Sequence, residues 1–451
     1  MSLTARSSYD SGLVLRAVSI RLAGAVIVIV AVGIVYHQAA LSYFFNDDFQ
    51  WLQRAREFRA ANLLDLARYD HFYRPIIEIY FYLGQRLFGC TAWPFHAMSV
   101  AIHFINTLLL FLFARALFRS GFVAFLTAMF FCVQPAYVEA VAWVGAITDL
   151  LPACWYLLAL WTHLLFLERC GVRFYAASVA AFAACLLTHE SSATLLPMMI
   201  ALEATLASER RLPALSEVEG PGPRQSASER AARYAPLALL LVGYLALAYV
   251  VNSRSYLIRE GHYALGWHAV PHVLEYIVSL YVGQRTVVTY VLIGIVTGLL
   301  LWRGTPRMRF AVLWIFMTLA PVAFFTWGNA SRYTYMPAAG FALLLAEMLA
   351  ACESVVAAWW TPRAARAGTL VLASAIAVRY GLFAKKEADI FRERTRPYER
   401  LVAAIGSANS SHPSAGVVYV DREDAEAVPA LYLDSAARTV RCAGDVRVVI
   451  R

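Results

Sequence analysis

The sequence predicts an all-α polytopic membrane protein: a bundle of about eleven transmembrane helices followed by a small α/β module. Three observations carry this prediction. Hydrophobic residues make up 60% of the 451 and charged residues only 15%, whereas soluble domains run near roughly 45–50% and about 25%. The apolar excess falls into repeated stretches of bilayer length, about 20 residues each, and not into one oversized core. The net charge of +9 is almost entirely arginine, since Lys385 and Lys386 are the only lysines. An ordinary soluble enzyme is excluded, and the basic surplus reads as membrane topology and phosphate chemistry, not nucleic-acid binding.

The first apolar run, 19–41, ends in Tyr36-His37-Gln38 with no small-residue cleavage signature, which predicts a retained helix. Further spans are predicted at 95–114, 121–135 with its apolar continuation, 148–167, 174–189, 191–207, 234–251, 286–302, 310–327, 333–351 and 367–384. Segment 268–284 is apolar but carries His268, Pro271, His272 and Glu275, so it reads either as a twelfth span or as an interfacial helix. A cytoplasmic N-terminus with 268–284 not crossing places Arg115, Arg119, Arg169, Arg173, Arg303, Arg307, Arg309, Arg363 and Arg366 inside, as the positive-inside rule favours. Segment 42–74 is the exception, because it lies outside yet holds Arg54, Arg56, Arg59, Arg68 and Arg74.

The predicted organisation is therefore a transmembrane domain over 1–384 and a small extracytoplasmic module over 385–451. The first includes an extracytoplasmic loop at 42–94 and a cytoplasmic linker at 208–233 built around Pro221-Gly-Pro223. In the module, 386–405 reads as a charged amphipathic helix. Strands are expected at Gly416–Val420, Thr439–Cys442 and Val446–Ile450, around a helical 423–437. The seven cysteines show no CxxC or Cys/His spacing, so neither a zinc site nor a disulfide framework is indicated.

Polar residues from distant parts of the chain fall at one face of this topology. The first outside loop opens with Phe44-Phe45-Asn46-Asp47-Asp48-Phe49; alone, such an acid pair is most often a solvated turn. Its functional reading is a carboxylate poised as general base or metal ligand. Tyr73-Arg74-Pro75, Glu139, Asp149, His189-Glu190, Arg332-Tyr333 and Tyr335 reach the same face. Each alone reads as a snorkelling charge or an aromatic-belt residue. Together they are harder to dismiss, because ionisable groups at a membrane cost desolvation unless they are paired or functional. Soluble nucleotide sugars stay in the cytoplasm, so a transferase acting outside needs a donor whose carrier crosses the bilayer, which a polyprenyl phosphate does. Arg332 and Arg74 suit its phosphate, since guanidinium forms bidentate, charge-assisted hydrogen bonds. The acceptor hydroxyl needs a base, which an aspartate supplies, and a single displacement at the anomeric carbon inverts configuration.

The ordered set Asp47-Asp48, Tyr73-Arg-Pro75, Pro135…Glu139-Ala-Val-Ala-Trp143…Asp149-Leu-Leu151, His189-Glu190 and Arg332-Tyr-Thr-Tyr-Met-Pro337 resembles the GT-C membrane glycosyltransferases. Within them it is most similar to the transmembrane protein O-mannosyltransferases that carry tetratricopeptide repeats and to their dolichyl-phosphate-mannose-type bacterial homologues. The resemblance spans roughly residues 15–350. It implies a GT-C fold, a polyprenyl-phosphate-linked sugar donor with mannose or another monosaccharide, and a protein, glycan or lipid acceptor. It also implies the plasma (inner) membrane of a bacterium, with the active site extracytoplasmic. Asp47 matches the family's catalytic aspartate, Asp48 is read as orienting it or binding a divalent cation (Mg or Mn) with Glu139, and Arg332, Arg74 and His189 as holding the donor phosphate. Asp149, Glu190, Tyr333 and Tyr335 are placed near substrate or metal. Where the family has Lys, this chain has His189, so a cation titrating near pH 6–7 is expected there. The tetratricopeptide repeats are replaced by the tail after 385.

Two other classes compete. A secondary transporter or lipid flippase also needs many helices and few buried charges, but gathers them near the bilayer midplane around broken helices. A lipid-linked polysaccharide polymerase or ligase shares the substrate type but moves oligosaccharides, so product mass separates it from a monosaccharide transferase.

Overall fold

A computed structural model describes residues 24–69, 72–209, 227–281, 284–411, 417–420, 428–441 and 447–450. Each of the eleven predicted apolar segments contains a helix: α1 (Gly24–Tyr36), α4 (Ala92–Phe118), α5 (Gly121–Cys132), α7 (Ile147–Arg169), α8 (Val172–Leu186), α9 (Leu195–Ser208), α10 (Ala227–Asn252), α13 (Val287–Arg303), α14 (Pro306–Ala323), α15 (Tyr335–Trp359) and α16 (Pro362–Ser411). Among the described residues, six helices are long and apolar enough to cross a bilayer, or seven if α5 and the following Pro135–Ala142 form one span bent by 43°. The number of membrane crossings is thus smaller, by this measure, than the number of apolar segments.

The bend has a physical cause. Gln134-Pro135 interrupts the helix before α6 (Val138–Ala142), and the carbonyls it frees are recaptured. His103 Nε2 lies 3.3 Å from the Cys132 carbonyl and the Tyr137 hydroxyl donates to that of Phe131. His103 Nδ1 in turn meets the Tyr335 hydroxyl at 2.8 Å, and Asn106 donates to that hydroxyl and to the Leu150 carbonyl. This buried polar knot binds α4, α5, α7 and α15 at the centre of the bundle. Around it pack Phe113, Phe310, Trp314 and Tyr156. Peripheral α10, α13 and α16 expose Leu239, Val242, Val288, Leu292, Val371 and Leu382, as lipid-facing helices do.

The first outside loop is not plain loop. It folds into α2 (Asp48–Arg56) and α3 (Pro75–Phe88), the latter opened by a proline at its first position. At 14 residues α3 is about 21 Å long, short of a crossing. The ambiguous 268–284 contains α12 (Ala269–Tyr281), 13 residues or about 20 Å, with Tyr276, Ile277, Val278 and Leu280 buried. It packs on α14 and is too short to span, which favours the interfacial reading. Short α11 (Tyr256–Arg259) links α10 to this region.

One end of the bundle is laced by arginine pairs: Arg119 with Glu168 at 3.3 Å, Arg307 with Glu209 at 2.8 Å, Arg366 with Glu353 at 3.0 Å and Arg233 with Glu203 at 2.8 Å. The opposite end carries Asp47, Arg74, Asp149, His189 and Arg332. Most of the linker, 210–226, lies outside the described residues, as do Arg6, Arg16 and Arg21.

α16 runs unbroken through residue 385, so the predicted helix at 386–405 is the continuation of the last apolar helix. Beyond it, β1 (Val417–Val420) and β2 (Arg447–Ile450) pair in parallel, Val417 opposite Arg447. A parallel pair needs a crossover, and α17 (Ala430–Arg441) lies between the strands. The expected strand at Thr439–Cys442 is therefore corrected: Thr439 to Arg441 end a helix, and Cys442 lies outside the described residues. The N-terminal part of the expected 423–437 helix also falls outside them.

Candidate active site

The site is built on a sharp turn after α1. Asn46 adopts a left-handed backbone (φ 47°), which Asn tolerates better than most residues. The turn sends the two adjacent acids opposite ways. Asp48 turns inward and is fully buried; its Oδ2 accepts the Phe45 N–H at 2.8 Å, and its Oδ1 faces Gly145. Burial pushes its carboxyl well above the usual aspartate range, outweighing the Phe45 N–H that favours the charge. Asp48 thus holds from beneath the turn that presents Asp47, and it is not among the residues that line the cavity. The Trp143 indole N–H donates to the Phe45 carbonyl at 3.1 Å, while Phe391 and Tyr398 of α16 pack on the Phe45 ring. Tyr398 also donates to the Asn46 side chain. With Asp48 and Phe45 fixed below, Asp47 points into a cavity of about 510 Å3.

Asp47, Arg74, Asp149, His189, Glu190, Arg332 and Tyr333 all line this one cavity, although they come from five separated stretches of chain. Arg74 donates from Nε and Nη2 to the two oxygens of Glu190 at 2.9 and 2.6 Å, and its guanidinium sits over Phe72 at 4.2 Å. Burial alone would lower the Arg74 pKa, but Glu190 more than offsets it and the group stays cationic. Arg332 donates from Nη1 to Glu139 at 2.8 Å and from Nη2 to the Tyr333 hydroxyl at 3.1 Å, with Nε 3.7 Å from Asp149. Its plane lies over Trp143 and Tyr333 at 5.0 and 4.6 Å. Glu139 also accepts from the Ser331 hydroxyl at 2.7 Å. Glu139 is thereby the acid that holds Arg332, and it is not itself among the residues lining the cavity.

His189 is present at the site but not as a cation. Arg74 Nη2 lies 2.9 Å from its Nε2, and guanidinium only donates, so that nitrogen must accept. Nδ1 accepts the Ser191 backbone N–H at 3.1 Å and lies 2.8 Å from the Ser191 hydroxyl. Burial and the adjacent Arg74 push the imidazole down to about 3. The Arg74 contact favours the neutral ring over the expected cation, against the pull of Glu190 at 3.6 Å. Tyr335 borders only a smaller recess of about 40 Å3, shared with Asp149 and Arg332, and its hydroxyl is taken by His103 and Asn106. It belongs to the bundle's core. Among the described residues no three His, Cys, Asp or Glu side chains converge as a metal site.

Sequence reasoning missed several lining residues. Arg54 and Trp51 line the wall next to Asp47, which explains one of the arginines that broke the positive-inside pattern: it serves the cavity. Leu257, Ile258, Val322, Phe325 and Trp327 add apolar lining, with Phe325 stacked on Tyr333. Tyr432, from the C-terminal module, donates to Asp47 Oδ1 at 2.8 Å. Nothing in the linear sequence ties a tyrosine at 432 to an acid at 47.

Residues 74–217 match the family model described as dolichyl-phosphate-mannose-protein mannosyltransferase. This stretch includes Arg74, Glu139, Asp149, His189 and Glu190. Two mouse proteins named protein O-mannosyl-transferase, TMTC2 and TMTC1, are 30% and 33% identical over 105 and 111 residues, covering 23% and 24% of this chain. The chain spans only 12% of the length of either. In fold, it is similar to ArnT of Cupriavidus metallidurans bound to undecaprenyl phosphate, with a TM-score of 0.55 at 13% identity, covering 94% of this chain and 85% of that one. The archaeal oligosaccharyltransferase AglB of Archaeoglobus fulgidus, in complex with an inhibitory peptide and a dolichol-phosphate, gives the same TM-score at 13% identity, covering 85% and 57%. The fold is thus similar to that of these two membrane proteins, and the likeness to the protein mannosyltransferases lies in the stretch around residues 74–217.

Proposed function

We propose that the protein is an inverting glycosyltransferase that moves a monosaccharide, mannose before others, from a polyprenyl-phosphate donor to an acceptor hydroxyl on the extracytoplasmic side of the membrane. The observation that carries this is the shared cavity, which Asp47, Arg332, Arg74 and a group of apolar side chains all line. In this reading Leu257, Ile258, Phe325 and Trp327 receive the first isoprene units. Arg332 and Arg74, each aimed by an acid behind it, take the phosphate through N–H groups that Glu139 and Glu190 leave open. Asp47 accepts the acceptor's hydroxyl proton as its oxygen attacks the anomeric carbon. The bond from that carbon to the phosphate oxygen breaks, and the polyprenyl phosphate leaves with its charge neutralised by the two arginines. One displacement inverts the anomeric centre.

The relatives named above support a mannosyl donor, and the fold's neighbours, one with undecaprenyl phosphate and one with dolichol-phosphate, support a lipid-phosphate carrier. Against a transporter, the charges gather at helix ends around one cavity, although the broken α5–α6 segment contributes Glu139 behind Arg332. The test incubates purified protein in proteoliposomes with a panel of radiolabelled polyprenyl-phosphate monosaccharides and fractionates protein, lipid and glycan products. Transfer of a single sugar is expected, with Asp47→Asn reducing it by about a hundredfold or more while insertion is intact. Full transfer by that variant removes Asp47 from the mechanism, and labelled lipid moving across without covalent product favours the transporter.

A further inference from the structure

We infer that Tyr432, carried by the C-terminal module, is a positioning residue for Asp47, so that this module completes the active site. The inference deepens the reading of Asp47 as the base and rests on it. Asp47 stands at the start of α2, and its Oδ1 accepts the Tyr432 hydroxyl at 2.8 Å. A carboxylate on a single-bonded stem rotates freely unless something holds it. With one oxygen pinned by a phenol, the rotamer is fixed and the other oxygen is left for the acceptor's proton. A tyrosine hydroxyl suits this task, because at neutral pH it stays protonated and donates to the carboxylate without taking its charge.

The tyrosine is itself held in place. It lies on α17, whose Leu433, Ala436 and Ala437 are buried with the preceding Val428, and α17 packs on both α2 and the outer half of α16. The same α16 clamps the turn before Asp47 through Tyr398. Tyr432 also lines the cavity, so it sits where an acceptor approaches and not behind the base. The module therefore reaches the reacting carboxylate from one side as Phe45 and Trp143 fix its backbone from the other.

The test compares Tyr432→Phe, Leu433→Ala, Asp47→Asn and wild type in proteoliposomes, with polyprenyl-phosphate [14C]mannose as probe and thermal stability measured on each. Tyr432→Phe keeps the ring and loses only the hydroxyl. Its kcat is expected to fall about tenfold, with KM for the donor within about twofold of wild type and stability unchanged. Leu433→Ala reports what loosening the module does by itself: lower stability, with kcat for folded protein nearer wild type than that of Tyr432→Phe. Unchanged kcat in Tyr432→Phe, with Asp47→Asn inactive, overturns the positioning role and leaves the base intact. A loss of kcat in Tyr432→Phe that only tracks a loss of stability, matched by Leu433→Ala, also overturns it. Full activity in Asp47→Asn overturns the base, and the role of Tyr432 with it.

Discussion

Asp47 and Asp48 are adjacent and chemically identical, yet one faces a cavity and the other is sealed beneath Gly145. The difference comes from one backbone torsion at Asn46 and from the donor each carboxylate meets, the Phe45 N–H for Asp48 and the Tyr432 hydroxyl for Asp47. The same logic settles His189. Its nitrogens are flanked by a guanidinium that can only donate and by Ser191, which makes a neutral ring the better fit. The sign of the linkage follows: a histidine whose folded pKa is depressed contributes stability above the unfolded value of 6.5, and that stability is lost as pH falls from 6.5 towards about 3. His189→Gln is therefore expected to weaken the acid sensitivity of thermal stability over that range, without moving the pH dependence of transfer near neutrality. An unchanged acid slope, or a rate profile whose neutral inflection disappears with the histidine, restores the titrating cation.

At the scale of elements, the site depends on close approach between the turn after α1 and the start of α7. A Cβ on Gly145 would lie 2.9 Å from Asp48 Oδ1 and 3.1 Å from the Trp143 indole. Both neighbours are fixed, Asp48 by the Phe45 N–H and Trp143 by the Phe45 carbonyl. Gly145→Ala should push the turn outward, lowering stability by about 1–3 kcal/mol and reducing transfer, because the turn that moves is the one that presents Asp47. Denaturation in detergent micelles measures the first effect, and wild-type stability would show that the contact relaxes freely. The helix count also belongs here. Apolar content marked eleven helices, but α8 and α13, at 15 and 17 residues, give lengths of only about 22 and 26 Å, so composition alone does not tell a full crossing from a partial one.

Across the whole molecule, the charge pattern predicts sidedness. Arginine pairs lace the end that holds Ser120, Gly171 and Gly304, whereas the cavity end holds α2 and the outward part of α16. Compartment reporters inserted after Ala60 and fused after Gly406 should agree with each other, and reporters at Ser120, Gly171 and Gly304 should report the opposite side, the cytoplasm. Cytoplasmic signals at Ala60 would put soluble nucleotide sugars within reach of Asp47 and remove the need for a lipid carrier. Agreement between the Ala60 and Gly406 reporters also matters to Tyr432, whose contact with Asp47 requires one shared compartment.

The sequence alone determined where helices form and which polar residues arrive at one end of the bundle, because hydropathy acts locally along the chain and each crossing reverses direction. That was enough to bring Asp47, Arg74, Asp149, His189, Glu190 and Arg332 to one face. The tertiary structure decided which acid of the pair faces the cavity, that Glu139 pairs with Arg332 and Tyr335 with His103, that an Arg74 N–H meets His189, and that a tyrosine 385 positions away touches Asp47. Those outcomes depend on side-chain direction and on donors and acceptors supplied by remote segments. Such contacts are set by packing across the bundle, which no pattern read along the chain records.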